Sequence, residues 1–238
     1  MNNVKDKVVF ITGASSGYGK AMAELFVKEG AKVIIASRNE EELKAVQKEI
    51  GCAGYVRMDV TKIEDWLSAE KYIIDNFNKI DVLVNNAGAG ISIKDTIDQD
   101  FDTIDYVLKL NLNSVIYGSK IFARYMKEQQ SGTIINVASV CATHCWPGWG
   151  IYGAAKAGVL NFSKSLYLEL QKDNVRVTCL IPASSNTKFA DNAGISVGKL
   201  AMQPKDVGET VLYICNLPNT VVVEELTVWG IDQVVNPL

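Results

Sequence analysis

The sequence lacks the features of membrane-spanning and repetitive proteins. No apolar run approaches the ~20 residues that a membrane span requires, and the first residues, 1–7, are polar where a secreted protein has an apolar signal region. Low-complexity tracts and repeats of solenoid period are also absent. These absences predict a soluble, cytoplasmic protein.

The sequence also has no excess of basic residues. Its 24 Lys and Arg residues face 27 Asp and Glu residues, which gives a net charge of -3 at pH 7. The pI is near 5.3. A protein that binds nucleic acid or an anionic membrane surface usually carries a basic patch. We therefore expect neither kind of partner.

Cysteine and histidine are scarce. The single histidine is His144, and the odd number of cysteines argues against a disulfide framework and favours a reducing compartment. The five cysteines are Cys52, Cys141, Cys145, Cys179 and Cys215. Cys141, His144 and Cys145 lie close together, but a structural zinc ion usually needs four ligands and no fourth stands at a familiar spacing. We predict that the cluster lines a pocket and that the chain has no metal site.

The 238 residues, 48% of them apolar, are enough for one substantial core, so we predict a single domain over 1–238. Short apolar runs alternate with segments of helical spacing. The predicted strands are 8–11, 32–36, 54–58, 80–84, 133–137, 175–181 and one near 220–228. The predicted helices are 20–28, 39–50, 61–78, a long stretch at 97–130, 150–172 and 204–216. This alternation predicts an α/β fold with a doubly wound, Rossmann-type parallel sheet of about seven strands.

A glycine-rich turn follows the first predicted strand. In the run Thr12–Gly19 the spacing is Gly-x-x-x-Gly-x-Gly, which differs from the commoner Gly-x-Gly-x-x-Gly. Glycine allows a tight turn and close backbone approach, and amides at a helix N-terminus attract phosphate. The turn predicts a dinucleotide site with contacts from Gly13, Ser15, Ser16, Gly17, Tyr18 and Gly19.

Tyr152 and Lys156 stand four residues apart in a segment that reads as helix. That spacing is about one turn, so both side chains rise from one face. A nearby ammonium favours the phenolate and is expected to lower the phenol pKa from ~10 toward neutrality. The residues alone leave two interpretations: an acid/base pair, or an ordinary amphipathic helix with a lysine whose stem packs along the surface.

Several motifs in order identify the chain, over essentially its whole length, as resembling the single-domain short-chain dehydrogenases/reductases. They are Thr12–Gly19, Asp59 with Val60, Asn85 to Gly88, Asn111, Ser139, and Tyr152 with Lys156. The resemblance implies an oxidoreductase that moves a hydride between a nicotinamide cofactor and a secondary alcohol or ketone. The tail, 220–228, is similar to that of bacterial NADP-dependent serine and 3-hydroxy acid dehydrogenases.

The resemblance also implies four catalytic residues. Ser139 would donate to the substrate carbonyl oxygen, and Tyr152 would act as general acid or base. Lys156 would lower the phenol pKa and hold the nicotinamide ribose. Asn111 would help to hold a water beside the lysine; Asn113 is its competitor, but the spacing of the family favours Asn111.

The residues at the end of the second strand indicate which nicotinamide cofactor is bound, NAD(H) or NADP(H). An acidic residue there selects NAD, whereas this chain has Ser37 followed by Arg38, whose guanidinium suits a 2'-phosphate. We predict a preference for NADP(H), with NAD(H) as the alternative. The alternative role for Arg38 is simply to start a solvated helix.

Further cofactor contacts follow from the resemblance. Asp59 and Val60 would contact the adenine, although Asp59 could also cap the helix that follows. The segment Asn85–Gly88 would brace the sheet and line the cleft, with Asn85, Asn86, Ala87 and Gly88 on the cofactor side.

The nicotinamide carboxamide would contact the segment after the sixth strand, through Pro182 and Thr187. This chain has Ala183 where the family usually has glycine. A positive φ there would cost alanine about 1 kcal/mol.

The substrate side is suggested by Trp146 and Trp149, which flank Pro-Gly in the loop before Tyr152. A flat apolar wall favours a hydrophobic or ring-bearing carbonyl substrate, such as a hydroxysteroid. The alternative is that the tryptophans pack in a subunit interface. The segment 188–203 would form a small mobile lid.

Two alternative functions stay open, and the resemblance also implies a partner. The first alternative is a serine or 3-hydroxy acid dehydrogenase. Against it, the loop before Tyr152 and the predicted lid contain no arginine to pair with a substrate carboxylate, only Lys188 and Lys199. A non-catalytic nucleotide-binding redox sensor is the other, and the complete catalytic set speaks against it. The stretch 97–130 would form the contact of a homodimer or homotetramer.

Overall fold

Seven strands form one parallel sheet in the computed structural model, which describes residues 3–187 and 200–233. The strands are β1 (Val8–Thr12), β2 (Lys32–Ser37), β3 (Gly54–Arg57), β4 (Val82–Asn85), β5 (Gly132–Val137), β6 (Val175–Pro182) and β7 (Glu225–Val228). Their order across the sheet is β3-β2-β1-β4-β5-β6-β7, and every neighbouring pair is parallel. The predicted doubly wound sheet is confirmed.

Helices connect the strands. They are α1 (Gly17–Lys28), α2 (Glu40–Ile50), α3 (Ile63–Phe77), α4 (Phe101–Leu108), α5 (Ser114–Gln129), α6 (Gly150–Leu170) and α7 (Pro204–Asn216). A π-helical turn, Lys109–Asn113, joins α4 to α5, and three short 3-10 helices lie at Thr96–Asp98, Val140–Ala142 and Gln171–Asp173. Among the residues described, no helix is long and apolar enough to cross a membrane.

Two predicted segments differ from the structure. The last strand begins at Glu225, because Val221 N first donates to Pro218 O in a turn and pairing with β6 starts only where Glu225 meets Cys179. The stretch 97–130 is not one helix, since a 3-10 turn precedes α4 and the π turn separates α4 from α5. Most of the predicted lid, 188–199, lies outside the described residues.

The strands are buried because helices cover both faces of the sheet. All five residues of β1 are buried, which explains its continuous apolar run. On one face Phe10, Trp66 and Phe122 pack edge to face, with ring centroids 5.4 to 6.5 Å apart. On the other face Ile11 and Met22 are fully buried.

The carboxyl ends of the strands meet at one edge of the sheet because all of them are parallel. The chain leaves β1 toward β2 on one side, while β4 lies on the other side of β1. Ligands of open α/β sheets bind outside the carboxyl ends at such a switch point. The β2 and β3 ends and the β6 and β7 ends therefore lie on opposite sides of the expected site.

Candidate active site

A cavity of about 860 Å³ opens at this carboxyl edge. Most of the residues predicted for the site line it. They are Gly13, Ser15, Ser16, Gly17, Tyr18, Ser37, Arg38, Asp59, Val60, Asn86, Ala87, Gly88, Ser139, Tyr152, Lys156, Pro182 and Thr187. Gly19, Asn85 and Asn111 were also predicted but do not line it.

The glycine turn has the backbone geometry that a phosphate site needs. Gly13 and Gly17 have φ of +66° and +55°, and a Cβ on Gly13 would lie 2.9 Å from Ala87 Cα. The Ser16 side chain makes no capping bond at the start of α1, so the N-terminal amides of that helix have no side-chain cap. This arrangement fits a dinucleotide pyrophosphate.

Gly19 acts from inside the turn. A Cβ at this position would lie 2.4 Å from Gly13 O, so only glycine lets the helix pack this closely against the turn. Gly19 therefore shapes the turn, and its contact with the cofactor stays a prediction.

The segment after β4 holds the glycine turn in place. Asn86 Nδ2 donates to Thr12 O at 2.9 Å and to Gly13 O at 3.2 Å. Asn85 points elsewhere, because its Nδ2 donates to Asn136 Oδ1 in the neighbouring strand β5 and to Ser119 Oγ in α5. Asn85 therefore braces the sheet, as predicted, but the prediction of a contact on the cofactor side is wrong.

The end of β2 presents one arginine to the cavity. Arg38 is exposed, and its Nη1 donates to Tyr106 OH at 3.1 Å. Asn39, not Arg38, starts α2, because Asn39 Oδ1 accepts from the backbone N of Glu41 and of Glu42. The guanidinium is thus free of a capping role.

Asp59 shapes the turn before α3 and does not cap that helix, whose N-cap is Lys62, so the predicted capping role is wrong and the contact with the adenine stays a prediction. Its Oδ1 accepts from Thr61 N at 3.0 Å and from Thr61 Oγ1 at 2.8 Å, while the residue also lines the cavity. Burial raises the pKa of the Asp59 carboxyl, but the bonds from Thr61 and the nearby charge of Arg38 outweigh it and lower the pKa overall.

Tyr152 and Lys156 rise from one face of α6 into the cavity. Lys156 Nζ lies 5.7 Å from the Tyr152 ring centroid and donates to Val137 O at 2.8 Å. Ser139, just after β5, hydrogen-bonds with the Tyr152 phenol, and its Oγ accepts from Cys141 N at 3.2 Å. The structure therefore brings the three predicted catalytic groups together at the end of β5.

Burial controls the protonation of this pair. The pKa of Tyr152 is raised because burial disfavours the phenolate, which outweighs the hydrogen bond from Ser139. Burial also lowers the pKa of Lys156 to about 8. Burial therefore opposes the predicted lowering of the phenol pKa, and at neutral pH the phenol holds its proton.

Asn111 supports the site from behind. Its Oδ1 accepts from Ala89 N at 3.0 Å, and its Nδ2 donates to Ala89 O at 3.0 Å and to Val107 O at 3.1 Å. A Cβ on Gly88 would lie 2.8 Å from Asn111 Oδ1 and 3.3 Å from Lys156 Nζ. The side chain thus fixes the segment that runs past the lysine, and its role in holding a water stays a prediction.

Ala183 is unstrained. Its backbone lies outside the left-handed region, and its N donates to Val228 O at 2.9 Å, which continues the pairing of β6 with β7. Its carbonyl accepts from Tyr18 OH at 3.2 Å. Thr187 follows opposite the glycine turn, where a Cβ on Gly17 would lie 3.8 Å from Thr187 Cγ2.

Aromatic rings form the wall beyond Tyr152. Trp146 and Trp149 both line the cavity, and Trp149 packs edge-on against Tyr152 with ring centroids 5.4 Å apart. His144 stacks on Trp146 at 6.0 Å and meets the edge of Trp229 at 5.4 Å. Among the described residues, no group of three or more His, Cys, Asp or Glu side chains could hold a metal ion.

Comparison with known proteins now identifies the family. A family model described as short chain dehydrogenase matches residues 7–196. The chain belongs to the short-chain dehydrogenase family. It is 35% identical over 230 residues to an uncharacterized oxidoreductase of Staphylococcus aureus (strain MRSA252), covering 96% of this chain and 99% of that one. It is therefore an oxidoreductase of this family.

Solved structures of the short-chain dehydrogenase family resemble this fold closely. A serine dehydrogenase complexed with NADP+ superposes with a TM-score of 0.92 at 27% identity, over 97% of this chain and 98% of that one. An alcohol dehydrogenase from Thermococcus sibiricus, complexed with 5-hydroxy-NADP, gives 0.89 at 26% identity, over 97% and 99%. Both similarities agree with the parallel-sheet fold of this chain and with its membership of the short-chain dehydrogenase family.

Two features of this short-chain dehydrogenase were missed from the sequence. Gly230, Asp232 and Gln233 line the cavity, and Tyr106 reaches Arg38 from α4. The contribution of Gly230, Asp232 and Gln233 could have been predicted, because the chain leaves a seventh parallel strand at the carboxyl edge of the sheet. No pattern in the sequence indicates the contact between Tyr106 and Arg38.

Proposed function

We propose that this short-chain dehydrogenase transfers a hydride between NADP(H) and a secondary alcohol or ketone, with Tyr152 as general acid or base. The observation that carries the proposal is the placement of Ser139, Tyr152 and Lys156 in one cavity with the glycine turn. Tyr152 and Lys156 are almost completely buried, with residue exposures of 7% and 3%. A site of this kind excludes water from the proton transfer.

The residues divide the chemistry among them. The nicotinamide supplies or accepts the hydride when it is bound. Ser139 donates to the substrate oxygen as negative charge develops there, and Tyr152 gives that oxygen its proton during reduction or removes it during oxidation. With its pKa near 8, Lys156 keeps its charge at neutral pH and stabilises the phenolate as it forms.

Different elements of the fold would bind different parts of the cofactor. The glycine turn would bind the pyrophosphate, Lys156 the nicotinamide ribose, and Thr187 the carboxamide. At the adenosine end Ser37 stands where a carboxylate would select NAD, and Arg38 retains donors beyond the one given to Tyr106. The NADP+ and 5-hydroxy-NADP in the related structures support the same preference.

The substrate end favours a hydrophobic or ring-bearing carbonyl compound, because Trp146 and Trp149 line it. Similarity to serine dehydrogenase favours a second candidate, a hydroxy acid or serine. Among the described residues that line the cavity, however, Arg38 is the only arginine, and it lies at the adenosine end. The described wall therefore offers no guanidinium to a substrate carboxylate.

The test follows absorbance at the reduced-nicotinamide band in both directions: loss of NADPH with steroid, aryl and aliphatic ketones and sugars, and formation of NADPH from NADP+ with hydroxy acids and serine. We expect turnover with ring-bearing ketones and a loss of roughly 10²- to 10⁴-fold in Tyr152→Phe, because the proton donor is gone. NADPH binding, read by its fluorescence, should be retained in the variant. An unchanged rate in Tyr152→Phe would contradict the proposal, and NADPH binding without turnover of any compound would favour the redox sensor.

A further inference from the structure

The turn after β7, Gly230–Gln233, lies at the substrate end of the cavity. The sheet order places β7 at the opposite end from β2 and β3, whose loops carry the adenosine-side residues. Trp229, just before the turn, meets His144 of the tryptophan-bearing loop, with ring centroids 5.4 Å apart. The turn therefore forms part of the wall that faces the substrate and not the adenosine.

The turn is held in a defined shape. Gln233 N donates to Gly230 O at 3.1 Å, which closes the turn, and Leu200 N donates to Asp232 Oδ2 at 2.8 Å. A Cβ on Gly230 would lie 3.4 Å from Met202 N, an ordinary van der Waals distance, so the turn packs against the residues after 200. Asp232 and Gln233 are thus presented to the cavity by an anchored backbone.

Gln233 carries an unsatisfied acceptor. Its Oε1 is shielded from solvent and accepts no hydrogen bond, although the residue lines the cavity. A buried acceptor without a donor is unfavourable, and a ligand that supplies the donor recovers that free energy. Asp232 beside it adds a carboxylate, so this part of the wall presents acceptors and negative charge.

The remaining charges of the wall agree with this polarity. Among the described lining residues, the only cations are Arg38, at the adenosine end, and Lys156, which donates to Val137 O. The faces of Trp146 and Trp149 attract cations through their ring quadrupoles. The described part of the substrate wall therefore suits a positively charged hydrogen-bond donor.

We propose that Asp232 and Gln233 form a subsite for a protonated amine carried by the substrate, distal to the reacting carbonyl or alcohol. The substrate class is then a ring-bearing amino ketone or amino alcohol, with its ring against the tryptophans and its ammonium at the turn. This inference rests on the proposed function, since it assumes that the carbonyl lies at Ser139 and Tyr152. Because Asp232 is exposed, its contribution is modest and decreases with salt.

The test compares acetophenones that share one frame and differ only in the para group: hydrogen, aminomethyl, hydroxymethyl or carboxylate. With the full chain and NADPH we expect kcat/KM to be highest for the amine and lowest for the carboxylate, mainly through KM. Asp232→Asn and Gln233→Leu should each reduce the preference for the amine over the unsubstituted ketone by about two- to fivefold. Gln233→Glu should increase it, and NADPH affinity should not change.

Glu24→Gln is the matched control, because it removes one exposed negative charge outside the cavity. Equal turnover of the amine and the unsubstituted ketone, or an unchanged preference in Asp232→Asn and Gln233→Leu, would overturn the subsite while the proposed reaction stands. Binding of the same compounds to the enzyme with NADPH, read as a thermal shift, separates the two ideas. Selective binding of the amine that Asp232→Asn weakens, without oxidation of NADPH, would keep the subsite and remove the proposed reaction.

Discussion

Lys156 is a buried ammonium, and its environment has a measurable energetic consequence. Burial lowers its pKa from 10.5 to about 8. Below pH 8 both the folded and the unfolded chain hold the proton, so the folded state carries the full cost, roughly 3 kcal/mol at most. Between about 8 and 10.5 only the unfolded chain holds it, so stability rises with pH across this window.

Lys156→Met should therefore be more stable than the parent at pH 7, although it should be inactive. The lost bond to Val137 O offsets about 1 kcal/mol, which leaves an increase in Tm of roughly 5 °C. The difference should shrink as pH rises from 8 to 10. Melting curves by circular dichroism check this, with Lys172→Met, an exposed lysine just after α6, as the control. If the stability difference between Lys156→Met and the parent does not change with pH, the buried charge carries no such cost.

Tyr106 gives a second prediction for a single side chain. Tyr106→Phe removes the hydroxyl that accepts from Arg38 Nη1, so the guanidinium loses part of its orientation. We expect NADPH to bind about two- to fivefold more weakly while NADH binding is unchanged. Fluorescence titration with both cofactors measures this, and Tyr117→Phe in α5 is the control. An equal loss for NADH would mean that the hydroxyl acts on the fold and not on the 2'-phosphate.

At the scale of secondary-structure elements, the π turn Lys109–Asn113 is the feature that places Asn111. Such turns insert a residue into a helix and occur often at functional sites. Here the insertion lets the Asn111 amide meet both the N and the O of Ala89, and so holds the segment beside the lysine. The hydrophobic pattern of 97–130 predicts helix but does not show where one residue is inserted.

Asn111→Ala should thus weaken both the fold and the cofactor site. Leaving the Ala89 N and O without partners should cost about 2 to 4 kcal/mol in the free energy of unfolding and raise the KM for NADPH. Urea denaturation and steady-state kinetics are the measurements. Asn113→Ala, in the same turn, should change neither by much, and equal effects of the two substitutions would argue against a specific role for Asn111.

At the scale of the whole molecule, one sheet carries every part of the cavity. The glycine turn follows β1, the residues predicted to contact the adenosine follow β2 and β3, and Ser139 follows β5. A cofactor that spans these loops should link most of the fold. Ligand binding to the folded state alone stabilises it by about 2.7 kcal/mol at 100 times its Kd.

NADPH should therefore raise the Tm by roughly 5 to 10 °C at such a concentration, and NADH at the same concentration should raise it less. Differential scanning fluorimetry compares the two. Arg38→Leu is the control that should remove the advantage of NADPH. If NADH stabilises the parent protein as much as NADPH does, the preference for NADP(H) is wrong.

Much of the fold could be predicted because it is local in the sequence. A run such as Val8–Thr12 is buried on both faces, so its apolar character shows without reference to the rest of the chain. The Tyr152 and Lys156 spacing likewise depends on one helix. Features that depend on tertiary packing could not be predicted from the sequence. The pKa of Tyr152 is raised by burial, and Gln233 lines the cavity only because β7 pairs with β6. Oligomerisation and the cytoplasmic location stay predictions.

The position of the last strand also affects how the enzyme should be produced for these measurements. Residues 3–7 lead into β1 at the edge of the sheet opposite the cavity, and Asn3 Nδ2 donates to Asn216 O at 2.7 Å. Gln233, in contrast, lines the cavity five residues beyond the end of β7. An affinity tag on the amino-terminal side of Asn3 would therefore be remote from the substrate wall, whereas one joined directly after Gln233 would begin beside it.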